Sequence, residues 1–425
     1  MHALLRHLRP GARAFVSTLS AELALLAEAL AADPGRARGV TFCGVQFPGI
    51  DRADYLAVHA EARLEAHFMS PAVRNGLADG RAVLHALDYP GIARHLLDGP
   101  PPDVAIAQLS PPDADGWCSA GLCADFMPLV WPRARARVAH LNPRMPRTPG
   151  SFRVHISELD EAVEADRPLL TWAEPRAGEV ESRIGVHVRQ LVRDGDTLQF
   201  GIGSVPVALV AALSDHRRLR IHGGMVTESL RTLWNAGALD RDARITTGVV
   251  LGDDTLHAFV RELPTLWLTD VRHTHDPEAI ARLPDTRFVA INAAVEIDLF
   301  GQVNAERAGG ALQAGAGGLP AFARAAQMAP GGRLVICLPS TARRRKGSSA
   351  EGAAPATTSR IVPALDARAL CTLPRHQADA VVTEHGVAEL RALPLDARAK
   401  ALIAIAAPEH REALAKAWHD IRRAL

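Results

Sequence analysis

The residues whose types and spacing allow chemistry are gathered mainly in the second half of the chain, around bare glycine turns. Residues 198–225 read as a strand, a turn at Gly201-Ile202-Gly203, a helix opened by Ser204 and Pro206, and a second strand at 219–221 that runs into His222-Gly223-Gly224-Met225. Main-chain amides at a helix mouth, with no side chain in the way, hold an anion or a developing oxyanion. The phosphates of a ligand and the oxygen of a thioester under attack both suit such a mouth. The second turn carries no carboxylate, thiol or hydroxyl.

Residues 288–318 run from a strand through a polar turn to Gly315-Ala316-Gly317-Gly318, where small residues let a ligand approach the backbone or let elements pack tightly. Glu296 and Asp298 alternate with Val295, Ile297 and Leu299, so both point to one side of an extended segment. A carboxylate pair facing a cleft does acid/base work, whereas a pair on an edge is solvated or holds structure. The pattern leaves both open. His273 and His275 follow a strand expected at 266–270, and either imidazole is a candidate general base. No third ligand stands nearby, so no metal is expected. Glu384-His385-Gly386 is a weaker candidate of the same kind, and ordinary loop histidines are the alternative for all three.

Other chemistries lose support by inspection. In a dinucleotide site the third glycine would stand where Pro206 is, and an acid would end the strand that here ends in Arg220 and His222. No nucleophile elbow, P-loop or zincin helix occurs. Forty-eight Lys+Arg against 47 Asp+Glu leave a formal charge of +1, too little for a field aimed at nucleic acid or anionic membrane. The most apolar helix candidate, 19–32, is broken by Glu22 and Glu28, so a soluble, cytoplasmic protein without a membrane role is expected. Five scattered cysteines argue for buried structural thiols rather than disulfides or a closed zinc site.

The elements that must position these residues form an α/β pattern. Short apolar runs at 40–43, 104–109, 137–140, 246–251, 287–292, 334–338 and 380–383 alternate with helical stretches, which implies buried parallel sheets covered by helices. Residues 8–30 align with 192–213, pairing Gly11 with Gly195 at an offset of 184, and 110–119 align with 295–304, pairing Gly116 with Gly301 at 185. Two matches at nearly one offset suggest a duplication. Polar and proline residues at 167–179 suggest units at 1–170 and 178–425. Residues 396–406 and 408–424 read as closing helices, with Asp396 placed to cap the first. The basic run Arg343-Arg344-Arg345-Lys346 lies in a small, polar surface stretch at 342–358, where it either grips a phosphate or is solvated.

Taken together, Ser110-Pro111-Pro112-Asp113 with Gly116, LQFGIGSVP, INAAVEIDLFGQVNAE, GAGG, LPSTA and VVTEHGVAEL resemble the acetyl-CoA hydrolase/transferase family, which includes the 4-hydroxybutyrate CoA-transferases. The likeness runs in order almost from end to end. It implies two similar open α/β domains of mostly parallel sheet with the active site between them, a homodimer, and thioester chemistry on a short-chain acyl-CoA with a small carboxylic acid as partner. Coenzyme A is then substrate or product, with no permanently bound cofactor. The resemblance places Gly201 and Gly203 beside coenzyme A, and Gly317 and Gly318 on the oxyanion side.

The same likeness exposes a departure. Family transferases carry a nucleophilic glutamate where this chain has Gly224, and relatives often have asparagine where His275 stands. Glu228 belongs to the next helix, expected at 226–236, and Glu296 to another strand. Three readings follow: hydrolysis by a water that sits in the room left by Gly224 and is activated by His275; transfer through Glu296 as nucleophile; or a catalytically silent coenzyme A binder. The missing glutamate tilts the reading toward hydrolysis.

Overall fold

The computed structural model describes residues 2–343 and 357–425. Two parallel sheets organise it. In the first, neighbours run Ala82–Leu84, Arg63–Ala66, Thr41–Cys43, Arg13–Val16, Val104–Leu109, Ala136–Leu141 and Glu161–Glu164. In the second they run Arg220–Ile221, Thr197–Phe200, Phe288–Ala293, Arg333–Cys337 and Ala380–Thr383, with Gly386–Glu389 antiparallel at the edge. Every residue of Val104–Leu109 and Ala380–Thr383 is buried, as expected of strands covered on both faces. Residues 165–178 carry neither helix nor strand.

The internal alignment has a geometric counterpart. Gly11 and Gly195, each two residues before a central strand, sit at φ +82° and +80°. Gly116 and Gly301 close two turns of the same build: Gly116 N donates to Asp113 O and Gly301 N to Asp298 O, at 3.0 and 2.9 Å. In each turn the carboxylate accepts from the residue after the glycine, Trp117 N or Gln302 N, at 2.8 Å. The two differ in burial. Asp298 is fully buried and also accepts from Phe300 N, Gln302 Nε2 and Leu365 N. Asp298→Ala strands several part-buried donors at once, and is expected to cost about 3 kcal/mol in denaturant unfolding, against about 1 kcal/mol for Asp113→Ala.

The two halves are tied together directly. Val250 N donates to Leu122 O, Ala124 N to Gly248 O, Val271 N to Asp125 O and Tyr89 N to Gly317 O, at 2.8, 3.0, 3.1 and 3.1 Å. One apolar cluster joins Leu19, Ile50, Leu122 and Met145 of the first half to Val205, Leu209, Val249 and Val250 of the second.

Several sequence expectations need correction. The run at 246–251 is not one strand. Ile245–Thr247 pairs with Leu266–Leu268 and Val249–Val250 with Met225–Val226, because both Gly248 N and Val249 N turn to donate to Gly224 O. Asp396 does not cap its helix. That helix, Leu395–Ala404, has Pro394 at its N-cap, and Asp396 instead accepts from Trp418 Nε1 and pairs with Lys400 and Arg422 of the closing helices. Cys371 is exposed, unlike the other four cysteines. Of the basic run, Arg343 ends a short strand paired with Thr357–Ser359, while Arg344, Arg345 and Lys346 lie outside the described residues.

Candidate active site

Both glycine pairs sit at helix mouths. Gly203, at φ +123°, is the N-cap of Ser204–Ala212, and Gly318 is the N-cap of Leu319–Met328; neither N-terminus is capped by a side chain. A Cβ built on Gly201 or Gly203 would meet nothing within 4 Å, so this mouth is open. At Gly317, φ +61°, the nearest atoms to a Cβ belong to Phe68, at 3.7 Å. Gly223 lies against Gln199, whose amide is held by Asn292 Nδ2 at 2.8 Å across the ends of two parallel strands.

The imidazole of His275 fills the centre. A Cβ on Gly224 would fall 2.7 Å from its Cε1 and 3.0 Å from its Nε2; a Cβ on Gly318 would fall 2.5 Å from Nε2. The ring therefore occupies the space beside Gly224 that the sequence reading assigns to water. Tyr89 and Phe322 flank it, with ring centroids 4.1 and 4.6 Å away, and Nδ1 lies 2.8 Å from Thr274 Oγ1. Burial, then the nearby His222, holds its pKa well below the ordinary imidazole value, so the ring is neutral across the physiological range. The tautomer that donates from Nδ1 to Thr274 Oγ1 leaves Nε2 as a proton acceptor facing two bare glycines.

The other sequence candidates lie apart. His273 packs on Trp267, at 5.0 Å between ring centroids, and lines a cavity with Arg220, His222 and Trp267. Glu296 and Asp298 are not a cleft-facing carboxylate pair. Asp298 is consumed by its turn, while Glu296 accepts from Asn304 Nδ2 at 2.8 Å and borders a cavity of about 660 Å³ with Arg307, Arg360 and Arg368. Glu384 receives Ser340 N at 2.8 Å and Ser340 Oγ at 2.6 Å, so these two motifs brace each other. Glu228 pairs with Arg231 on its own helix. Tyr89, Phe322 and Phe68 were missed. Asp88 accepting from Gly91 N with Pro90 behind it marks a helix start in the sequence, but nothing there says what Tyr89 touches.

Beneath the site lies an acid held protonated. Asp125 is buried at φ +39°, its Oδ2 has no hydrogen-bond partner, and burial with the charges of Asp270 and Asp51 pushes its pKa up to about 8. The folded state thus keeps a proton on Asp125 that the unfolded chain gives up near pH 4, so this group makes stability fall as pH rises between those values. Buried histidines whose pKa is lowered act in the opposite sense below about pH 7, and a comparison of wild type with a variant at the same pH cancels them. The stability of the wild type relative to Asp125→Asn is expected to fall by about 2 kcal/mol from pH 6 to 8, read from urea midpoints of both proteins at the two values.

A model of the acetyl-CoA hydrolase/transferase C-terminal domain matches residues 252–418. The 4-hydroxybutyrate coenzyme A transferase of Clostridium kluyveri is 37% identical over 320 residues, which cover 74% of this chain and 72% of that protein. The chain belongs to the acetyl-CoA hydrolase/transferase family. Among solved members of this fold, RipA from Yersinia pestis superposes with a TM-score of 0.86 at 26% identity, covering 99% of this chain and 96% of that one. A 4-hydroxybutyrate CoA-transferase from Porphyromonas gingivalis gives 0.79 at 29%, covering 100% and 96%. No helix among the described residues is long and apolar enough to cross a membrane.

Proposed function

We propose that this member of the family acts on an acyl-CoA thioester and hydrolyses it, with His275 as general base. One observation carries the reading: a neutral imidazole stands where any side chain at position 224 would project. Water that enters with the substrate, rather than in the space beside Gly224 that the ring fills, attacks the thioester carbonyl carbon and its proton passes to His275 Nε2. The oxyanion is held by main-chain N–H groups of the glycine mouths, at Gly317 and Gly318, with coenzyme A lying along Gly201 and Gly203. Collapse breaks the C–S bond, and the imidazolium returns its proton to the leaving thiolate. Burial disfavours the imidazolium, but the oxyanion formed in the same step is its counter-charge.

Glu296 as nucleophile is the competing route, and its hydrogen bond to Asn304 and separate cavity weigh against it. A silent binder is not favoured, since the relatives are named as CoA transferases and acetyl-CoA hydrolases. A short acyl group and a homodimer accompany this reading on family likeness, and units at 1–170 and 178–425 and a cytoplasmic setting on the sequence pattern. The test is thiol release from a panel of short acyl-CoAs with and without acetate. Thiol release without acetate supports hydrolysis; conversion of the acyl-CoA to acetyl-CoA with acetate, and no free thiol in its absence, rejects it.

A further inference from the structure

Away from this site, Glu65, His85 and His95 converge, although they lie 20 and 10 residues apart in sequence and form no recognisable ligand motif. Glu65 is on the strand Arg63–Ala66 and His85 directly follows its parallel neighbour Ala82–Leu84; His95 is in the last turn of the helix Tyr89–Asp98. Nε2 of His85 and Nε2 of His95 lie 3.2 and 2.8 Å from the same Glu65 oxygen, and all three ligand atoms lie within 4.8 Å of one another. A tetrahedral ion with bonds of about 2.0 Å sets its ligand atoms about 3.3 Å apart, so small side-chain shifts suffice. Two imidazole nitrogens and one carboxylate oxygen are a zinc-type donor set with a fourth position open.

Two neighbours bear on the assignment. Arg13 grips Glu65 through Nε and Nη2 at 2.9 and 3.1 Å, which fixes the carboxylate as an outer partner does, while its charge tempers affinity for a cation. His67 is buried with its ring 5.5 Å from that of His85, and neither of its nitrogens makes a hydrogen bond of normal geometry. An ion with a bound water would give such a group a partner. Both His85 and His95 are partly exposed, so an ion can reach them from solvent.

We propose that Glu65, His85 and His95 form a mononuclear site for a divalent transition metal, with zinc as the best match. It would clamp the C-terminal end of the helix whose first residue, Tyr89, packs on His275. It does not depend on the hydrolytic reading.

The test uses the full chain, freed of metal with chelator, then titrated calorimetrically with zinc chloride and, in parallel, with cobalt(II) monitored by visible absorption. The expected result is one ion per chain, tetrahedral cobalt bands, a melting temperature raised by zinc, and affinity at least about 100-fold weaker in both His85→Gln and His95→Gln. Each variant's melting temperature in chelator verifies folding, and either one alone carries the comparison. Absence of saturable binding, or equal binding in the wild type and a folded variant, overturns the proposal.

Discussion

Exchanging His275 for glutamine lowers the rate of CoA release from an acyl-CoA by about 100- to 10,000-fold, the usual contribution of a positioned general base. The loss falls on kcat, because the open mouth at Gly201 and Gly203 is untouched and coenzyme A binding is retained. Glutamine approximates the length of the imidazole and sacrifices ring contacts with Tyr89 and Phe322, about 1 kcal/mol each, so the variant folds and a thermal melt verifies it. The pH profile sharpens the expectation. The folded pKa of His275 is depressed, so its acceptor form persists below the ordinary imidazole range, and the wild-type rate stays level from pH 8 down through 6.5. A midpoint at or above 6.5 assigned to this residue contradicts the account. Full turnover in His275→Gln does the same.

Placing a glutamate at position 224, where the proposed reading sets the nucleophile of family transferases, is not expected to create a transferase. Gly224 is outside the left-handed region, so its backbone accepts a side chain; the obstacle is His275. That ring is held between Tyr89 and Phe322 and anchored beside Thr274 Oγ1, and cannot retreat from a Cβ 2.7 Å away without repacking both aromatics. Gly224→Glu is therefore expected to cost about 1–3 kcal/mol or more as overpacking, and to abolish hydrolysis by displacing the base. Adding His275→Asn removes the obstacle. The double variant regains much of that stability, a non-additive outcome expected of residues in contact, and in the presence of acetate it forms acetyl-CoA. Unchanged stability in Gly224→Glu alone would show that the imidazole is not the constraint.

Much of the scaffold was legible because burial leaves a direct trace in apolar runs. The segments at 104–109 and 380–383 are mostly apolar stretches, and both are strands with those limits. Gly11 and Gly195 were legible as a pair because a left-handed turn before a strand admits few residues other than glycine. The site was less legible. Alternation put Glu296 and Asp298 on one side of a strand, but which side faces a cavity depends on Asn304 and Leu365, and Leu365 lies on a distant segment. The absence of an acid at Gly224 was plain, whereas its filling by His275 depends on Tyr89 and Phe322, brought in from separate helices. Likewise, Glu65, His85 and His95 meet only through parallel register and a helix laid over the sheet edge.

The central claim is that water, not a protein carboxylate, attacks the thioester. The most direct measurement is the mass of the protein quenched during turnover of an acyl-CoA in acceptor-free buffer and treated with hydroxylamine or borohydride. The account predicts continuing release of free CoA from a protein of unaltered mass. A glutamate modified under these conditions, at Glu296 or elsewhere, would contradict it.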